Sequence, residues 1–378
     1  MIRQFKKIAA SLLNRFIEYK SNSFSEKREK SLLQNIGQIR AISGGDSTDY
    51  QHIWADYWAP VVKYKSKWAY RLYSQFCGDN KYILSQPIAD ALNRAMNPSE
   101  LLPFYSDKNI FDKILPKGVL PQTIFRVMDG IMMDADYNII SEMSNDKLSS
   151  LLKPFHRIIL KPTVDTSSGN GVRLFNLRDS SQPKISVDLI KKSGNDIIIQ
   201  EALTQSDFMA QFNPTSINTI RIATYKSPYD GEVHILSAVI RMGAPGAYVD
   251  NLHKEGHMIR INEQTGTLAK QCFNADGIPS KTHGPIDFSN QSYTVPDWDR
   301  IISFAKLTAS ALPHLKLLQL DIAIDSDNNP RLIEFNASGF SMWIAQFTGT
   351  PALGEYTDEI RRYALAQKHS LKIIPTRH

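Results

Sequence analysis

The segment Leu317–Asn336, LLQLDIAIDSDNNPRLIEFN, constrains the fold more than any other part of the chain. Two apolar runs flank a polar turn, a pattern that predicts a β-hairpin. If the loop is Ser326–Asn329, Asp321 lies directly opposite Glu334, with the β-carbons roughly 5 Å apart. Because side chains alternate along a strand, Asn336 shares the face of Glu334. The hairpin therefore predicts two carboxylates and one amide oxygen on a single sheet face.

This polar face is costly unless a cation offsets its charge. Mg²⁺ favours carboxylate and carbonyl oxygens, and phosphate oxygens often complete its shell. The opposite face should lie in a core and carries Leu320, Ile322, Ile333 and Phe335. Two alternatives are a surface hairpin with solvated acids and a calcium loop. The calcium loop is disfavoured because Pro330 stands at its required Gly position and Asn336 at its required Glu position.

A second motif is a strand that ends near Lys161 and is followed by the loop TSSGNGV, residues 166–172. A loop of small residues lets backbone N–H groups approach phosphate oxygens, and Ser168, Gly169 and Gly171 are the candidates for this contact. Lys161 would add a cation beside them. The loop lacks the Gly-Lys-Ser/Thr of a Walker A motif, so the alternative to this phosphate loop is a plain hairpin turn.

A third motif is the run DIIIQEAL, residues 196–203, in which an apolar strand ends in polar Gln200 and Glu201. A strand that leads into a hinge can present backbone groups to an adenine edge, with apolar walls such as Leu203 around the ring. Asp207 follows four residues later. The alternative is an ordinary strand end.

A fourth motif is a pair of arginines on successive predicted strands, Arg221 in NTIRIAT and Arg241 in AVIRMG. Each is flanked by apolar residues, so each is expected to have a specific partner. The planar guanidinium suits carboxylate or phosphoryl oxygens. A structural ion pair is the competing interpretation.

Taken together, in this order and spacing, the four motifs resemble those of the ATP-grasp superfamily, over roughly residues 105–350. An Asp-Lys pair opens the nucleotide-binding region in that superfamily, and Lys108 occupies this position ten residues before Gly118. The most similar subgroup is the sugar-transfer-associated ATP-grasp proteins, which are linked to surface-polysaccharide biosynthesis. The segments that suggest it are SDKN (106–109), SINTIRIAT (216–224) and RMGAPGAYVDN (241–251).

The resemblance implies a role for each motif residue. The phosphates of ATP would be held by Lys108 and Lys161 together with the loop residues Ser168, Gly169 and Gly171. The adenosine would be held by Gln200, Glu201, Leu203 and Asp207. Two Mg²⁺ ions, or Mn²⁺, would be held by Asp321, Glu334 and Asn336. The transferred phosphoryl group or the substrate carboxylate would be stabilised by Arg221 and Arg241.

The sequence departs from the superfamily pattern at two places. Many of its ligases carry an Arg two residues before the first metal Asp, where this chain has Gln319. A Gly-Gly is expected shortly after Asp250 and Asn251, where this chain has Glu255 and Gly256. The role of the missing Arg would then pass to Arg221 or Arg241.

The pattern of elements predicts an α+β chain with the ATP-grasp fold, in which two α+β subdomains clamp ATP. We expect a basic amphipathic arm and a helical region over 1–105, subdomain A over 106–200, and subdomain B with the metal site and a C-terminal helix over 201–378. Strands are predicted at 157–161, 172–176, 196–200, 218–225, 232–242, 257–262, 317–325 and 331–335. Helices are predicted near 185–193, 298–312 and 351–369. The aromatic-rich stretch 50–105 is expected to be helical, with its rings in a core.

The excess of basic residues is confined to the N-terminal arm. Residues 1–40 hold nine Lys and Arg and three Glu, which accounts for the whole net charge of +6. A charge-neutral body disfavours a nucleic-acid partner. The apolar residues of 1–20 recur at helical spacing, which predicts a helix packed on its own protein; the alternative is peripheral contact with an anionic membrane surface. Two cysteines and no long apolar run indicate a cytoplasmic protein, with the inner face of the membrane as the alternative.

The function expected from this resemblance is ATP- and Mg²⁺-dependent ligation of a carboxylate to an amine through an acyl phosphate. The partners would be a small-molecule or glycan carboxylate and an amine, such as a sugar acid and an amino acid in surface-polysaccharide or capsule biosynthesis. One alternative is an ATP-dependent kinase of a sugar or polyol. A second is a nucleotide-binding scaffold of an envelope assembly.

Overall fold

The computed structural model describes residues 23–36, 48–63, 66–164, 171–179, 181, 184–244 and 256–367. The predicted amphipathic arm at 1–20 lies outside these residues. The N-terminal region is helical, as predicted. Its helices are α1 (23–36), α2 (Thr48–Trp58), α3 (Lys67–Cys77), α4 (Gln86–Met96) and α5 (Leu102–Ser106). The aromatic residues of this region lie mainly inside: Trp54 and Trp58 are at most 1% exposed.

An antiparallel sheet of five strands follows, in the order β2-β1-β5-β3-β4. Its strands are β1 (Thr123–Met128), β2 (Ile131–Asp134), β3 (Arg157–Pro162), β4 (Arg173–Asn176) and β5 (Ile197–Glu201). One face is covered by α7 (Asn145–Leu152) and α8 (Val187–Ser193), whose apolar residues share a core with Phe125, Ile158 and Leu160. Lys161 lies on the other face, because side chains alternate along β3.

A second antiparallel sheet has seven strands in the order β10-β9-β8-β7-β6-β13-β14. Its strands are β6 (Thr219–Lys226), β7 (Val233–Met242), β8 (His257–Ile261), β9 (Leu268–Asn274), β10 (Pro279–Ser280), β13 (Leu317–Ile324) and β14 (Pro330–Asn336), and a small pair, β11 (Thr282–His283) and β12 (Ile286–Asp287), lies apart from it. The remaining helices are α6 (Phe111–Ile114), α9 (Asp207–Ala210), α10 (Trp298–Ser310), α11 (Met342–Phe347) and α12 (Thr357–Ala366).

The two faces of the seven-stranded sheet belong to different cores. Ile222 and Ile322 pack in one core with residues of α10, such as Ile301. Ala223 and Val239 pack in another core with residues of α1 to α4, α11 and α12. The second face is the one that carries the predicted arginines, since Arg221 is two residues from Ala223 and Arg241 two from Val239. The helical N-terminal region therefore covers the sheet beside the predicted site.

A buried asparagine fastens the N-terminal region to the hairpin. Asn97, at the end of α4, donates to the carbonyl oxygens of Leu317 at 2.6 Å and Ala337 at 2.7 Å. Its Oδ1 accepts from the backbone N–H groups of Lys316 and Leu317. One side chain thus pairs backbone groups of both strands at the open end of the hairpin that carries the predicted metal residues.

All eight predicted strands are present with their ends within one residue, and the three predicted helices overlap α8, α10 and α12. Sequence reasoning did not identify β1, β2 or β9. The predicted α+β architecture with a helical N-terminal region is confirmed, whereas the proposed subdomain boundaries stay a prediction.

Candidate active site

The predicted pairing at the centre of the hairpin is confirmed, although its tip differs. Asp321 is the partner of Glu334, as the sequence predicted. At the tip, Ile324 and not Asp325 pairs with Pro330, so the assumed four-residue loop was wrong by one residue. A β-bulge between Asp321 and Ile322 shifts the register by one residue and so brings Asp321 opposite Glu334. It also places Leu332 in the core and leaves Ile333, predicted to be core, half-buried.

Asp321 is held by both predicted arginines. Arg221 Nε donates to Oδ1 at 2.7 Å and its Nη2 to Oδ2 at 2.6 Å. Arg241 Nη1 donates to the same Oδ2 at 2.9 Å. Burial alone would raise the pKa of Asp321, but the two guanidinium groups outweigh it and hold that pKa below its usual range. The carboxylate is therefore ionised and anchors the arginines of two neighbouring strands.

Two lysines converge on Glu334, the other hairpin carboxylate. Lys108 Nζ lies 4.0 Å from Glu334 Oε2. Lys161 on the five-stranded sheet is close enough for both charges to act on it. Burial and, next, the charge of Lys108 lower the pKa of Lys161 to about 8, although Glu334 opposes the shift. The pKa of Glu334 is raised, first by burial and then by the charge of Asp321. The two sheets thus contribute opposite charges to one cluster.

Asn336 and Gln319 are partners at the end of the same hairpin. The Asn336 amide nitrogen is buried and has no hydrogen-bond partner among the described residues. Gln319 accepts from the backbone N–H of Ser341 at 2.9 Å and donates to its carbonyl at 3.4 Å. Gln319, which replaces the expected Arg, is 3% exposed and holds the turn that follows Asn336. It therefore has a structural role at this position.

The hairpin donors fit a magnesium ion only in part. Glu334 and Asn336 offer a carboxylate and an amide whose oxygens suit Mg²⁺. The orphaned buried atom of the Asn336 amide is its nitrogen, a hydrogen-bond donor, so it does not bear on the metal. Asp321, in contrast, already accepts three N–H bonds from Arg221 and Arg241. Across the described ranges, no group of three or more His, Cys, Asp or Glu side chains is arranged to hold a metal.

The hinge motif lies where β5 leaves the five-stranded sheet. Gln200 is 2% exposed; its amide donates to Pro121 O and Thr123 Oγ1, while its Oε1 is buried with no partner among the described residues. Glu201 is exposed and Leu203 is half-buried. A cavity of about 700 Å³ is lined by the hinge residues Glu201 to Thr204 and by the hairpin tip. The lining of this cavity includes neither Lys161 nor Glu334, so it lies beside the charged cluster.

Of the remaining predicted nucleotide residues, the structure describes Asp207 and Gly171. Asp207 is the exposed first residue of α9. Gly171 has φ +77°, and a Cβ there would lie 2.7 Å from Pro162 Cγ, so only glycine fits without movement. Ser168 and Gly169 lie outside the described residues.

Sequence reasoning missed a buried arginine next to Lys161. Arg126 on β1 and Lys161 on β3 both pair with Ile198, so they share one row and one face of the sheet. Arg126 is fully buried, donates to Asp112 at 2.6 Å, and stacks 3.9 Å from the centre of the Tyr137 ring. The apolar residues that flank Arg126 in TIFRVM, residues 123–128, were a signal that could have found it, since an arginine buried in a strand needs a carboxylate partner.

A buried amide network fixes the chain between the hinge and Arg221. Gln205 donates to the carbonyls of Asn213 and Ser216 and accepts from Asn218. Asn218 in turn donates to Met209 O and Asn213 O. The network determines where β6 begins and hence where Arg221 lies.

Two antiparallel sheets that bring lysines, arginines and a carboxylate–amide hairpin to one cluster beside a hinge define an ATP-grasp clamp. The model of one family, described as sugar-transfer associated ATP-grasp, matches residues 88–362. The chain belongs to the sugar-transfer associated ATP-grasp family. This confirms the predicted superfamily and its subgroup.

Solved structures with a similar fold include three ATP-grasp enzymes. The D-cycloserine synthetase DcsG is 13% identical, with 73% of this chain and 74% of that chain covered and a TM-score of 0.40. The L-amino acid ligase from Bacillus licheniformis is 15% identical, with 72% and 52% covered and a TM-score of 0.37. The biotin carboxylase domain of the Hydrogenobacter thermophilus 2-oxoglutarate carboxylase, a complex with MgADP, is 10% identical, with 75% and 49% covered and a TM-score of 0.42.

A comparison with the sequences of curated proteins gave no significant match. Within the part of the chain that the structure describes, no helix combines the length and the apolar character needed to cross a bilayer.

Proposed function

We propose that this chain is an ATP- and Mg²⁺-dependent carboxylate–amine ligase, acting on a sugar acid and an amino acid or other amine in surface-polysaccharide biosynthesis. The observation that carries the proposal is the convergence of Lys108, Lys161, Arg221 and Arg241 on the Asp321–Glu334 pair. Fixed cations around one point stabilise the charge that develops on a transferred phosphoryl group. The sugar-acid substrate rests on family membership, since the subgroup is described as sugar-transfer associated.

In the first step, an oxygen of the substrate carboxylate attacks the γ-phosphorus of ATP. A new O–P bond forms, the bond between that phosphorus and the bridging oxygen breaks, and ADP leaves. Lys108 and Lys161 bind the phosphate oxygens, and Arg221 and Arg241 stabilise the transferring group. Glu334 and Asn336 would hold Mg²⁺, which neutralises phosphate charge when bound.

In the second step, the amine nitrogen attacks the carbonyl carbon of the acyl phosphate. The C–N bond forms, the bond from carbon to the phosphate oxygen breaks, and inorganic phosphate leaves as the amine loses a proton. A covalent enzyme intermediate is not required. Burial raises the pKa of both Cys77 and Cys272 to about 12, so neither thiol is ionised near neutral pH.

Gln200 supports the nucleotide part of the proposal. Its Oε1 is a buried acceptor with no partner among the described residues. The exocyclic amine of adenine is a donor that would satisfy such an acceptor at the hinge. Glu201, Leu203 and Asp207 would surround the remainder of the adenosine.

The test is a screen for ADP release with Mg²⁺ across uronic acids and amino acids, with mass spectrometry of any product. We expect an amide product, ADP and phosphate in equal amounts. Glu334→Gln should reduce ADP release on the order of 100-fold or more, because the metal loses a ligand. Asp230→Asn, an exposed Asp on the β6–β7 turn, is the matched control and should act as wild type. A phosphorylated sugar with no amide would show that the protein is a kinase.

A further inference from the structure

The carboxylate of Asp321 is the only acidic group in the described chain that contacts both arginines of the site. Its side chain is 3% exposed, and three N–H groups reach it at 2.6 to 2.9 Å. Two bonds come from Arg221 as a bidentate fork, and the third comes from Arg241. Charge-assisted bonds of this length and geometry are among the strongest in proteins.

The register of the strands explains why these three residues meet. Asp321 on β13 is the direct partner of Arg221 on β6. Arg241 on β7 pairs with Thr219, two residues before Arg221, so it approaches the same carboxylate diagonally. Without an anion between them, two guanidinium groups on adjacent strands would repel each other. Asp321 therefore fixes both arginines toward one point.

The same hydrogen bonds compete with a metal for Asp321. A carboxylate offers about four lone-pair sites, and the arginines use three of those of Asp321. A divalent cation placed there would also lie against two guanidinium charges. Glu334, opposite Asp321, has 36% of its side chain exposed, and Lys108 Nζ lies 4.0 Å from its Oε2. Asn336 offers an amide oxygen to a metal; the atom of this amide that has no partner among the described residues is its nitrogen, which is a donor and takes no part in metal binding.

We propose that Asp321 is a positioning residue that orients Arg221 and Arg241 for the transferring phosphoryl group, whereas Glu334 and Asn336 alone among the hairpin residues hold the metal. The inference rests on the proposed function, which it deepens. It divides the three hairpin residues, which the sequence pattern treats as one ligand set, between two tasks.

The test separates metal binding from phosphoryl positioning. The first measurement is the affinity of the full chain for Mn²⁺ in the presence of ADP, by electron paramagnetic resonance of free Mn²⁺. The second is the retention of ADP when aluminium fluoride is added, since ADP with aluminium fluoride imitates the transferring phosphoryl group. Asp321→Asn should bind Mn²⁺ and ADP with affinities within about twofold of wild type. The gain in ADP retention that aluminium fluoride produces should be at least about tenfold smaller in this variant than in wild type.

Glu334→Gln should behave in the opposite way and lose at least about tenfold in Mn²⁺ affinity. Asp230→Asn, distant from the cluster, should leave both measurements unchanged. If Asp321→Asn lost Mn²⁺ affinity to the same extent as Glu334→Gln, Asp321 would be a metal ligand and the inference would be overturned. If Glu334→Gln kept its full Mn²⁺ affinity, the metal site of the proposed function would fail, whatever Asp321→Asn does.

A second variant covers the case in which Asp321→Asn does not fold. Arg221→Lys keeps the charge beside Asp321 but cannot form the bidentate fork. We expect Arg221→Lys to bind Mn²⁺ and ADP as wild type does. The gain in ADP retention on addition of aluminium fluoride should be about tenfold smaller than in wild type. Wild-type retention of ADP and aluminium fluoride by Arg221→Lys would refute the positioning role.

Discussion

The carboxyl group of Glu29 on α1 should make the protein less stable as pH rises through neutrality. Glu29 is 4% exposed, and its Oε2 has no hydrogen-bond partner among the described residues. Burial raises the pKa of Glu29 from 4.5 to about 7, and a hydrogen bond with Ser66 only partly opposes that rise. The folded state therefore holds the proton more tightly than the unfolded chain does.

The magnitude follows from this difference in pKa. At about 1.4 kcal/mol per pKa unit, a rise from 4.5 to about 7 corresponds to roughly 3 kcal/mol. Because the folded pKa of an acid is raised, the free energy of unfolding is undiminished below pH 4.5 and falls as pH increases to about 7. Above that pH the whole loss is present, since the carboxylate must then be ionised inside the protein.

Glu29→Gln removes the ionisation and keeps the shape of the side chain. We expect this variant to be more stable than wild type at pH 8 by up to about 3 kcal/mol and nearly equal to it at pH 5. The assay is urea unfolding followed by tryptophan fluorescence at pH 5, 6, 7 and 8. Glu26→Gln, one turn earlier on α1, removes an equal charge from a less buried position. Because the charge of Glu26 is a smaller cause of the raised pKa of Glu29 than burial, this variant should keep most, but not all, of the pH slope of wild type.

The prediction is tested by comparing how the free energy of unfolding changes with pH in wild type and in Glu29→Gln. If wild type and Glu29→Gln lost stability in parallel from pH 5 to 8, the buried carboxyl would have no part in the pH dependence. Lower stability of Glu29→Gln at pH 8 would equally refute the reasoning, because the ionised group would then be favourable in the fold.

Three further predictions concern the clamp itself. Asn97→Ala should lower the free energy of unfolding by roughly 3 kcal/mol, measured by urea titration, because four buried backbone groups lose their partner. Gly171→Ala should lower stability more than Gly78→Ala, since both have positive φ but only the Cβ at 171 would meet Pro162, at 2.7 Å; equal losses by thermal melting would show that the contact is harmless. The affinity for ADP, measured by calorimetry, should fall as pH rises through about 8 in wild type, because Lys161 then loses its charge; Lys161→Arg should show no such fall.

The hairpin shows how far sequence reasoning reached and where it stopped. Alternation and the polar turn predicted the hairpin and the pairing of Asp321 with Glu334, which the structure confirms, but the pairing came out right because the bulge offsets the one-residue error in the assumed loop. The bulge that leaves Ile333 half-buried could not be predicted, because it depends on how β14 fits its neighbours. The polar turn fixed the existence of the hairpin but not the residue at which pairing begins.

For a different reason, the sequence could not predict that Asp321 is the partner of Arg221 and Arg241. The apolar surroundings of Arg221 and Arg241 predicted that each has a specific role. Asp321 lies 100 residues after Arg221, and β13 pairs with β6 only in the folded sheet. A pairing over that distance has no local signal in the sequence. The structural ion pair that was the competing interpretation for the arginines is present, and it lies within the candidate site.

The charge balance of the cluster links the fold to its ligand. Lys108, Lys161 and the two arginines bring four cations near the two hairpin carboxylates, and Arg126 is already balanced by Asp112. Burial makes such cations costly, and an anion that joins them reduces that cost. The lowered pKa of Lys161 is the local sign of this cost, because burial and the charge of Lys108 both disfavour its charged form. A bound polyphosphate would oppose this shift and favour the charged lysine.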